Sequence, residues 1–327
     1  MTSRLRAGAA LAAVTALALA ACGGEDGAAA SAGPDTILVS GSSTVAPITR
    51  LVASEGRFDV AVEAEGTING FERFCAGETA INNASTPIPG EGQPDNFIEK
   101  CDSNGVEYVE LPIGLDTLSI VRNEQASFLD DITTEELRTI WAADSSVSTW
   151  NEVRSDWPEE PLTLYGRDHG SGTYASFSYA LTEDADGLRD DYEATDDLRL
   201  LSSWIAEDAG GLGFMGVGNY LATPETDRNR LSTVSVDGAA PSLANAQDGS
   251  YPITRPLFLY VAKDALEETE QVKEFVNYYL DHASSILPRT YFYPLEQGMY
   301  PQVRERLDAE TTGTEYDGNP FPTSPKL

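Results

Sequence analysis

The sequence repeats one local plan: a short strand-like run, a turn of glycine and hydroxyl residues, and then a helix-like segment. The plan occurs in TILVSGSSTVAPITRLVA (36–53), again across 58–88 around the turn at 66–70, and again where LTLYGRD (162–168) leads into GSGTYASF (170–177). Strands that alternate with helices form layered α/β structure, because each helix must cover a face of the sheet. The repeat therefore predicts an α/β fold with a largely parallel sheet.

Longer segments between these units also have regular patterns. The run VEYVELPIGLDTLSIVRN (106–123) predicts one or two strands that cross toward a new region, and YPITRPLFLYVAK (251–263) predicts a strand that returns. The segment ITTEELRTIWA (132–142) predicts a helix with a capping box formed by Thr133 and Glu136. The length of 327 residues is sufficient for two domains of ordinary size or one large one.

The N-terminus has the pattern of a bacterial secretion signal. Residues 1–21 contain Arg4 and Arg6, then an apolar segment and small residues, which is typical of a cleaved signal peptide. The alternative is an uncleaved anchor helix. The sequence Leu-Ala-Ala-Cys ending at Cys22 resembles a lipobox, so we expect cleavage before Cys22 and acylation of its thiol. Residues 22–34 would then form a lipidated flexible tether.

The remaining cysteines predict a disulfide. With Cys22 acylated, Cys75 and Cys101 are two thiols in an oxidising compartment, where disulfides persist. A metal site built on these two cysteines would need further ligands, and His169 and His282 are the only histidines. We therefore predict a Cys75–Cys101 disulfide and no metal.

The charge excludes some classes of partner. The chain has 53 acidic against 21 basic residues, a formal charge of −32. Nucleic acids and anionic membrane surfaces would be repelled by such a protein, so neither is expected as its main partner.

The three turns share a chemistry suited to anions. Unpaired backbone N–H groups and the positive end of the helix dipole make a helix N-terminus attractive to phosphate-like groups. Ser and Thr are also ordinary N-cap residues, so one such junction means little. Three of them favour a shared anion site, formed by Ser42-Ser43-Thr44, Thr67 and Ser171-Gly172-Thr173. Arg167 would add a permanent charge and a fork of N–H donors.

Two other motifs have weaker functional interpretations. Ser171 could be a hydrolase nucleophile, but the G-x-S-x-G motif needs glycine where His169 stands, and triad members usually come from separate loops. The G-x-G-x-x-G at 211–216 follows a segment that we predict to be helical, so the strand of a Rossmann motif is missing. We predict a glycine-rich strand there.

Taken together, several segments resemble the phosphate-binding proteins of bacterial Pst-type ABC transporters. The resemblance runs from Thr36 to about Leu307 in the family's order, in GSSTVAPI, GFERFCAGETAINNASTPI, LPIGLDTLSIVRN, GRDHGSGTYASF, GGLGFMGVGNY and YPITRPLFLYV. It implies a two-domain periplasmic-binding-protein fold of type II, with a hinge and an anion held in the interdomain cleft. We expect domain 1 at 35–115 and 255–312, domain 2 at 116–254, and a poorly ordered, Gly-, Pro- and Thr-rich tail at 313–327.

The resemblance also implies a function. The chain is similar to a family of extracytoplasmic receptors that deliver inorganic phosphate to the permease of an ABC importer. We therefore expect a monomer that is not an enzyme, needs no cofactor and is held at the outer face of the cell membrane through its lipid alone. Carried over by position, the phosphate ligands are hydroxyls, amides and one guanidinium, from Ser43, Thr44, Val45, Thr67, Ser85, Arg167, Ser171, Gly172 and Thr173.

One position departs from the family's pattern. Relatives have Asp or Arg after the Ala-Ser of the second small-residue strand end, where this chain has Thr86. Phosphate keeps a proton at neutral pH and sulfate does not, so a buried carboxylate acceptor favours phosphate. Thr86 can accept a hydrogen bond but cannot repel sulfate. Asp116 matches an aspartate of some relatives and could supply the carboxylate, or it could be a solvated strand-end residue. The alternative ligand is sulfate, arsenate, molybdate or tungstate.

Overall fold

A computed structural model describes residue 33 and residues 36–319 of the chain. Its strands are β1 (Ile37–Gly41), β2 (Val60–Val62), β3 (Ile81–Ala84), β4 (Tyr108–Asn123), β5 (Asp131–Ile132), β6 (Thr163–Gly166), β7 (Glu193–Ala194), β8 (Gly211–Gly216), β9 (Leu231–Val236), β10 (Thr254–Ala262) and β11 (Tyr293–Pro294).

The α-helices are α1 (Ala46–Gly56), α2 (Thr67–Cys75), α3 (Phe97–Ser103), α4 (Thr134–Trp141), α5 (Gly172–Thr182), α6 (Leu198–Glu207), α7 (Val217–Ala222), α8 (Glu225–Arg228), α9 (Leu243–Gln247), α10 (Lys263–Glu268), α11 (Glu270–Ile286) and α12 (Met299–Asp308). Short 3₁₀ turns occupy Trp150–Glu152 and Leu287–Thr290.

The strands form one curled, mixed sheet. Its main order is β2-β1-β3-β10-β4-β8-β6-β7, with β11 and β9 also paired to β4. The predicted α/β class is confirmed, but the expectation of a largely parallel sheet is wrong. β1 is parallel to β2 and β3, and β6 to β7 and β8, whereas β10 and β4 are antiparallel to each other and to the strands beside them. The reason is that β4 and β10 run in opposite directions between the two halves of the molecule.

The hydrophobic core changes from one half to the other along these two crossing strands. On β4, Leu115 packs in a core with α1 and α11, while Leu118 packs in a second core with α4 and α5. At β10 the order is reversed: Ile253, directly before the strand, belongs to the second core, and Leu257 on the strand belongs to the first. We call the part around the first core the first half and the part around the second core the second half.

Several local predictions are confirmed. Thr133 caps α4, and Glu136 completes the capping box. The glycine-rich motif 211–216 is the buried strand β8. Cys75 and Cys101 form a disulfide that joins the C-terminal end of α2 to α3.

The beginning of the predicted tail is packed rather than poorly ordered. The Gly313 amide donates to the Tyr108 carbonyl at 3.0 Å, and Tyr316 is buried against Phe258. Glu110 explains this order, because it accepts hydrogen bonds from the Thr314 hydroxyl and the Glu315 amide. Composition misses such contacts because their partners lie far away in the sequence. Residues 320–327 lie outside the described part.

The predicted signal peptide, the acylated Cys22 and the tether to Pro34 fall outside the described residues, apart from residue 33. Within the described part of the chain, no helix is both long and apolar enough to cross a bilayer.

Candidate ligand-binding cleft

A cleft lies between the two halves and contains two chambers that share part of their walls. The first chamber has a volume of about 770 Å³ and the second about 530 Å³. Both are lined by the same two loops, which precede α1 and α5, through Ser43, Thr44, Gly170, Ser171 and Gly172. The two turns that the sequence singles out for an anion therefore face one another across the cleft.

The structure brings the other predicted residues to the same walls, with one exception. Thr67, Ser85 and Thr86 line the first chamber, and Asp116, Arg167 and Thr173 line the second. Val45 does not line either chamber, because its side chain is fully buried at the start of α1. Its predicted contribution concerns the backbone amide alone.

The turn before α1 depends on a glycine. Gly41 has a φ of 111°, and a Cβ there would lie 2.1 Å from the Asn83 carbonyl oxygen. This close approach lets the Ser42 amide donate to the same carbonyl at 2.8 Å. The Ser42 hydroxyl accepts a hydrogen bond from the Thr44 amide at 3.2 Å, while Ser43 is exposed to the cleft.

Thr67 and Ser85 form a hydroxyl pair on the first half. Their oxygens are 3.2 Å apart, and the Ser85 amide donates to the Thr67 hydroxyl, also at 3.2 Å. Thr67 is the first residue of α2, and Ser85 directly follows β3. Two of the predicted hydroxyls thus meet although they are 18 residues apart.

On the second half, Ser171 is the N-cap of α5. Its hydroxyl accepts a hydrogen bond from the Thr173 amide at 3.1 Å. His169 bonds Asp186 at 2.9 Å, and within the described residues it makes no hydrogen bond to Ser171. This arrangement is a helix cap beside a cleft and lacks the serine–histidine contact of a hydrolase triad.

His169 is exposed and lines the first chamber. Asp186 bonds both the His169 ring and the Tyr174 hydroxyl. The hydrogen bond from His169 and, to a smaller extent, that from Tyr174 lower the pKa of Asp186. Burial, followed by the hydrogen bond to Asp186, raises the pKa of Tyr174 to about 12. Asp186 therefore ties the loop before α5 and the first turn of α5 to the segment that follows the helix.

Arg167 is held by Asp196. Its Nε and Nη2 atoms donate to Asp196 Oδ1 at 3.1 and 2.8 Å. Within the described residues, no hydrogen bond is made by Nη1 of Arg167. One edge of the guanidinium is therefore fixed, and the side chain still lines the second chamber.

The main residue that the sequence interpretation missed is Arg255. Its side chain is 8% exposed, lines the first chamber, and binds Asp116 Oδ2 through Nε at 3.0 Å and Nη2 at 2.8 Å. Its Nη1 donates to the Gly172 carbonyl at 3.0 Å and to the Ser176 hydroxyl at 2.6 Å. A signal was present, because a charged residue stands inside the apolar run YPITRPLFLYV.

Every arginine that lines the cleft has a carboxylate partner. Arg255 pairs with Asp116, Arg167 with Asp196, and Arg289 of the second chamber with Glu55. The cleft therefore offers hydroxyls, helix N-termini and already compensated guanidinium groups, and an anion would be bound mainly by oriented dipoles. Within the described residues, no group of three or more His, Cys, Asp or Glu side chains could hold a metal ion.

Comparison with known families gives a consistent result. The profile of the PBP (periplasmic-binding-protein) superfamily domain matches residues 26–282. The SphX protein of Synechococcus elongatus is 36% identical over 302 residues, covering 88% of this chain and 86% of that protein. The phosphate-binding protein PstS of Staphylococcus saprophyticus is 29% identical over 302 residues, covering 89% of this chain and 90% of its own.

A solved structure has the same fold. The crystal structure of a possible phosphate-binding protein from Planctomyces limnophilus superposes with a TM-score of 0.69 at 32% sequence identity. The match covers 84% of this chain and 98% of the other. The names of the Staphylococcus and Planctomyces proteins describe phosphate-binding proteins, the second as a possible one, and the match to the family profile spans both halves that form the cleft.

Proposed function

Because this chain belongs to the PBP superfamily and, within it, to the phosphate-binding proteins, we propose that it captures inorganic phosphate in its cleft and delivers it to an ABC importer. In this proposal it acts as a receptor and performs no chemistry on its ligand.

One observation carries the proposal: hydroxyls and the N-terminal ends of α1, α2 and α5 line a single cleft together with Arg167. Helix N-termini bind oxyanions through backbone N–H groups and the helix dipole. Neutral donors can surround a dehydrated anion without the cost of bringing several unpaired cations together.

We propose that the ligand is held between two sets of donors. Ser43, Thr44, the Val45 amide, Thr67 and Ser85 would bind it from the first half, and Thr86 would lie beside them. Arg167, Ser171 and the amides of Gly172 and Thr173 would bind it from the second half. Arg167 would use its Nη1 edge, which Asp196 leaves unoccupied within the described residues.

Binding from both sides implies closure of the cleft. We propose two domains, at 35–115 with 255–312 and at 116–254, that move about a hinge in the crossing strands β4 and β10. Hinge closure around a ligand is a common motion of periplasmic binding proteins. The core changes from one half to the other between Leu115 and Leu118, which supports a hinge at this place.

Selectivity for phosphate would depend on Asp116. We propose that its carboxylate accepts a hydrogen bond from the protonated oxygen that phosphate has at neutral pH and sulfate lacks. The two hydrogen bonds from Arg255 to Asp116 both go to Oδ2, and Oδ1 makes no hydrogen bond within the described residues. Oδ1 is therefore the atom that would accept the hydrogen bond from phosphate. Thr86, also in the cleft, supports the second candidate, a receptor for another tetrahedral oxyanion, because a hydroxyl does not exclude sulfate.

Calorimetric titration tests both ligand proposals. The soluble chain without residues 1–22, stripped of bound anion by partial unfolding, would be titrated at pH 7 with phosphate, sulfate, arsenate and molybdate. We expect phosphate to bind at micromolar Kd or tighter and sulfate to give no heat. Equal binding of sulfate would favour the second candidate. Failure of every anion to bind would refute the receptor proposal and return attention to Ser171 as a nucleophile.

Asp116→Asn tests the role of the carboxylate. An amide can donate to a fully deprotonated oxyanion, so we expect weaker phosphate binding and measurable sulfate binding. Unchanged phosphate-to-sulfate preference in this variant would show that Asp116 does not set the selectivity.

We also propose that the mature chain is a lipoprotein at the outer face of the cell membrane, anchored through Cys22. The wild-type full chain expressed in bacteria should partition into the detergent phase. A variant with Cys22→Ala and a cleavable signal should instead be released in soluble form. A wild-type chain that remains in the aqueous phase would contradict this anchor.

A further inference from the structure

Arg255 connects three parts of the molecule that meet at the cleft. It lies on β10 directly opposite Asp116 on β4, because the two residues are paired in the register of the crossing strands. Its other partners, Gly172 and Ser176, belong to α5 in the second half. A single side chain therefore joins both crossing strands to the helix whose N-terminus faces the cleft.

The donors of Arg255 are nearly all used by the protein. A guanidinium has five N–H groups. Two are directed to Asp116 Oδ2, one to the Gly172 carbonyl and one to the Ser176 hydroxyl. This set of bonds fixes the first turn of α5, so that the Gly172 and Thr173 amides are oriented before a ligand enters. Fixing donors in advance reduces the entropy that binding must overcome.

The charge of Arg255 has a second consequence. Asp116 is 4% exposed, and an uncompensated carboxylate in such a place would repel every anion, including phosphate. With Arg255 bound to Oδ2, the pair has no net charge, while Oδ1 still has lone pairs to accept a hydrogen bond. An acceptor without net repulsion is what a site needs in order to prefer a protonated dianion.

We propose that Arg255 is a specificity-determining and positioning residue of the phosphate site: it cancels the charge of Asp116, so that Oδ1 can accept a hydrogen bond from the protonated oxygen of the ligand, and it holds the N-terminal turn of α5. This inference rests on the proposed function of the cleft. It goes further by making selectivity a property of the Asp116–Arg255 pair.

A double-mutant cycle distinguishes charge compensation from a merely structural role. Phosphate and sulfate affinities would be measured by calorimetry for the wild type, Arg255→Gln, Asp116→Asn and the double variant. Arg255→Gln leaves a buried carboxylate beside the anion, so we expect phosphate binding to weaken by about thirtyfold or more. The double variant lacks that carboxylate, so it should bind phosphate more tightly than Arg255→Gln alone.

Two further variants complete the design. Arg255→Lys keeps the charge but loses the fork, and it should recover part of the affinity lost in Arg255→Gln. Arg122→Gln is the matched control, because Arg122 is equally buried on β4 and pairs with Asp130 outside the cleft. It should change stability and leave phosphate affinity unchanged. If Arg255→Gln does not fold, Arg255→Lys and the double variant, compared with Asp116→Asn, supply the same test.

The outcomes separate the two proposals. If the wild type binds phosphate but the double variant binds no better than Arg255→Gln, the compensation inference is overturned and the receptor function stands. If sulfate discrimination is the same in Arg255→Lys, Arg255→Gln and the wild type, Arg255 does not determine specificity. If the wild type binds no oxyanion, the proposed function itself fails.

Discussion

At the scale of single residues, the guanidinium of Arg167 divides its donors between the protein and the cleft. Asp196 takes Nε and Nη2, and Nη1 is left for a ligand within the described residues. Arg167→Gln removes both the charge and that free edge, so we expect phosphate binding to weaken by about tenfold to a hundredfold, as for a charge-assisted hydrogen bond. Calorimetric titration measures the loss.

Asp196→Asn gives the complementary expectation. An amide oxygen can still accept from Arg167, and the ligand edge is unchanged, so affinity should change by less than about threefold. Arg138→Gln, an exposed change on α4, controls for the single positive charge that Arg167→Gln removes. A large loss in Asp196→Asn would mean that orientation of Arg167, rather than its free edge, limits binding.

Hydrogen bonds between residues close in the sequence could be predicted, whereas an ion pair between distant residues was missed. The Ser171 cap lies within three residues of the amide that it binds, so the pattern Ser-Gly-Thr is informative by itself. Arg255 and Asp116 are 139 residues apart in sequence. Their pairing depends on the register of β4 against β10, and no local pattern encodes that register.

At the scale of an element, α4 shows how one cap links stability to pH. Glu136 accepts from Arg154 at 2.6 Å and from the Thr133 amide at 2.8 Å. The pKa of Glu136 is lowered to about 2, chiefly by the hydrogen bond from Arg154 and further by the hydrogen bonds from Thr133. A folded-state pKa below the unfolded value of about 4.3 stabilises the protein above that pH. The contribution is lost as the pH falls toward 2.

Glu136→Gln tests this link. Glutamine can still complete a capping box but cannot form the ion pair, so we expect the free energy of unfolding at pH 7 to fall by about 1–2 kcal/mol, after allowance for solvent screening. The difference from wild type should shrink as the pH falls from 5 to 3 in urea unfolding experiments. Glu135→Gln, in the same first turn but exposed, is the control. A difference that does not vary with pH would contradict the assignment to Arg154.

The elements themselves were largely predictable, but their directions were not. Apolar periodicity and turn residues marked β1, α1 and α5 because these signals act over a few residues. Strand direction depends on connections across the whole molecule, which is why the antiparallel pairing of β4 with β10 was missed. The packed segment 313–319 was missed for a similar reason, since its order comes from distant partners such as Glu110.

At the scale of the whole molecule, the charge of −32 acts against the approach of an anion. The donors of the cleft act over a few ångströms, whereas the field of the acidic surface extends over the screening length, about 10 Å at 0.1 M salt. Added salt should therefore weaken the long-range repulsion more than the local contacts. We expect the association rate for phosphate to rise several-fold between about 10 mM and 200 mM sodium chloride.

Stopped-flow measurement of intrinsic tryptophan fluorescence checks this expectation, with chloride as the added anion because it does not imitate a tetrahedral oxyanion. The dissociation rate should change less than the association rate, since dissociation begins from contacts inside the cleft. An association rate that falls with salt would mean that the cleft presents a net positive field despite the acidic surface. That result would require at least one of the arginine pairs, most directly Arg167–Asp196, to open before the ligand arrives.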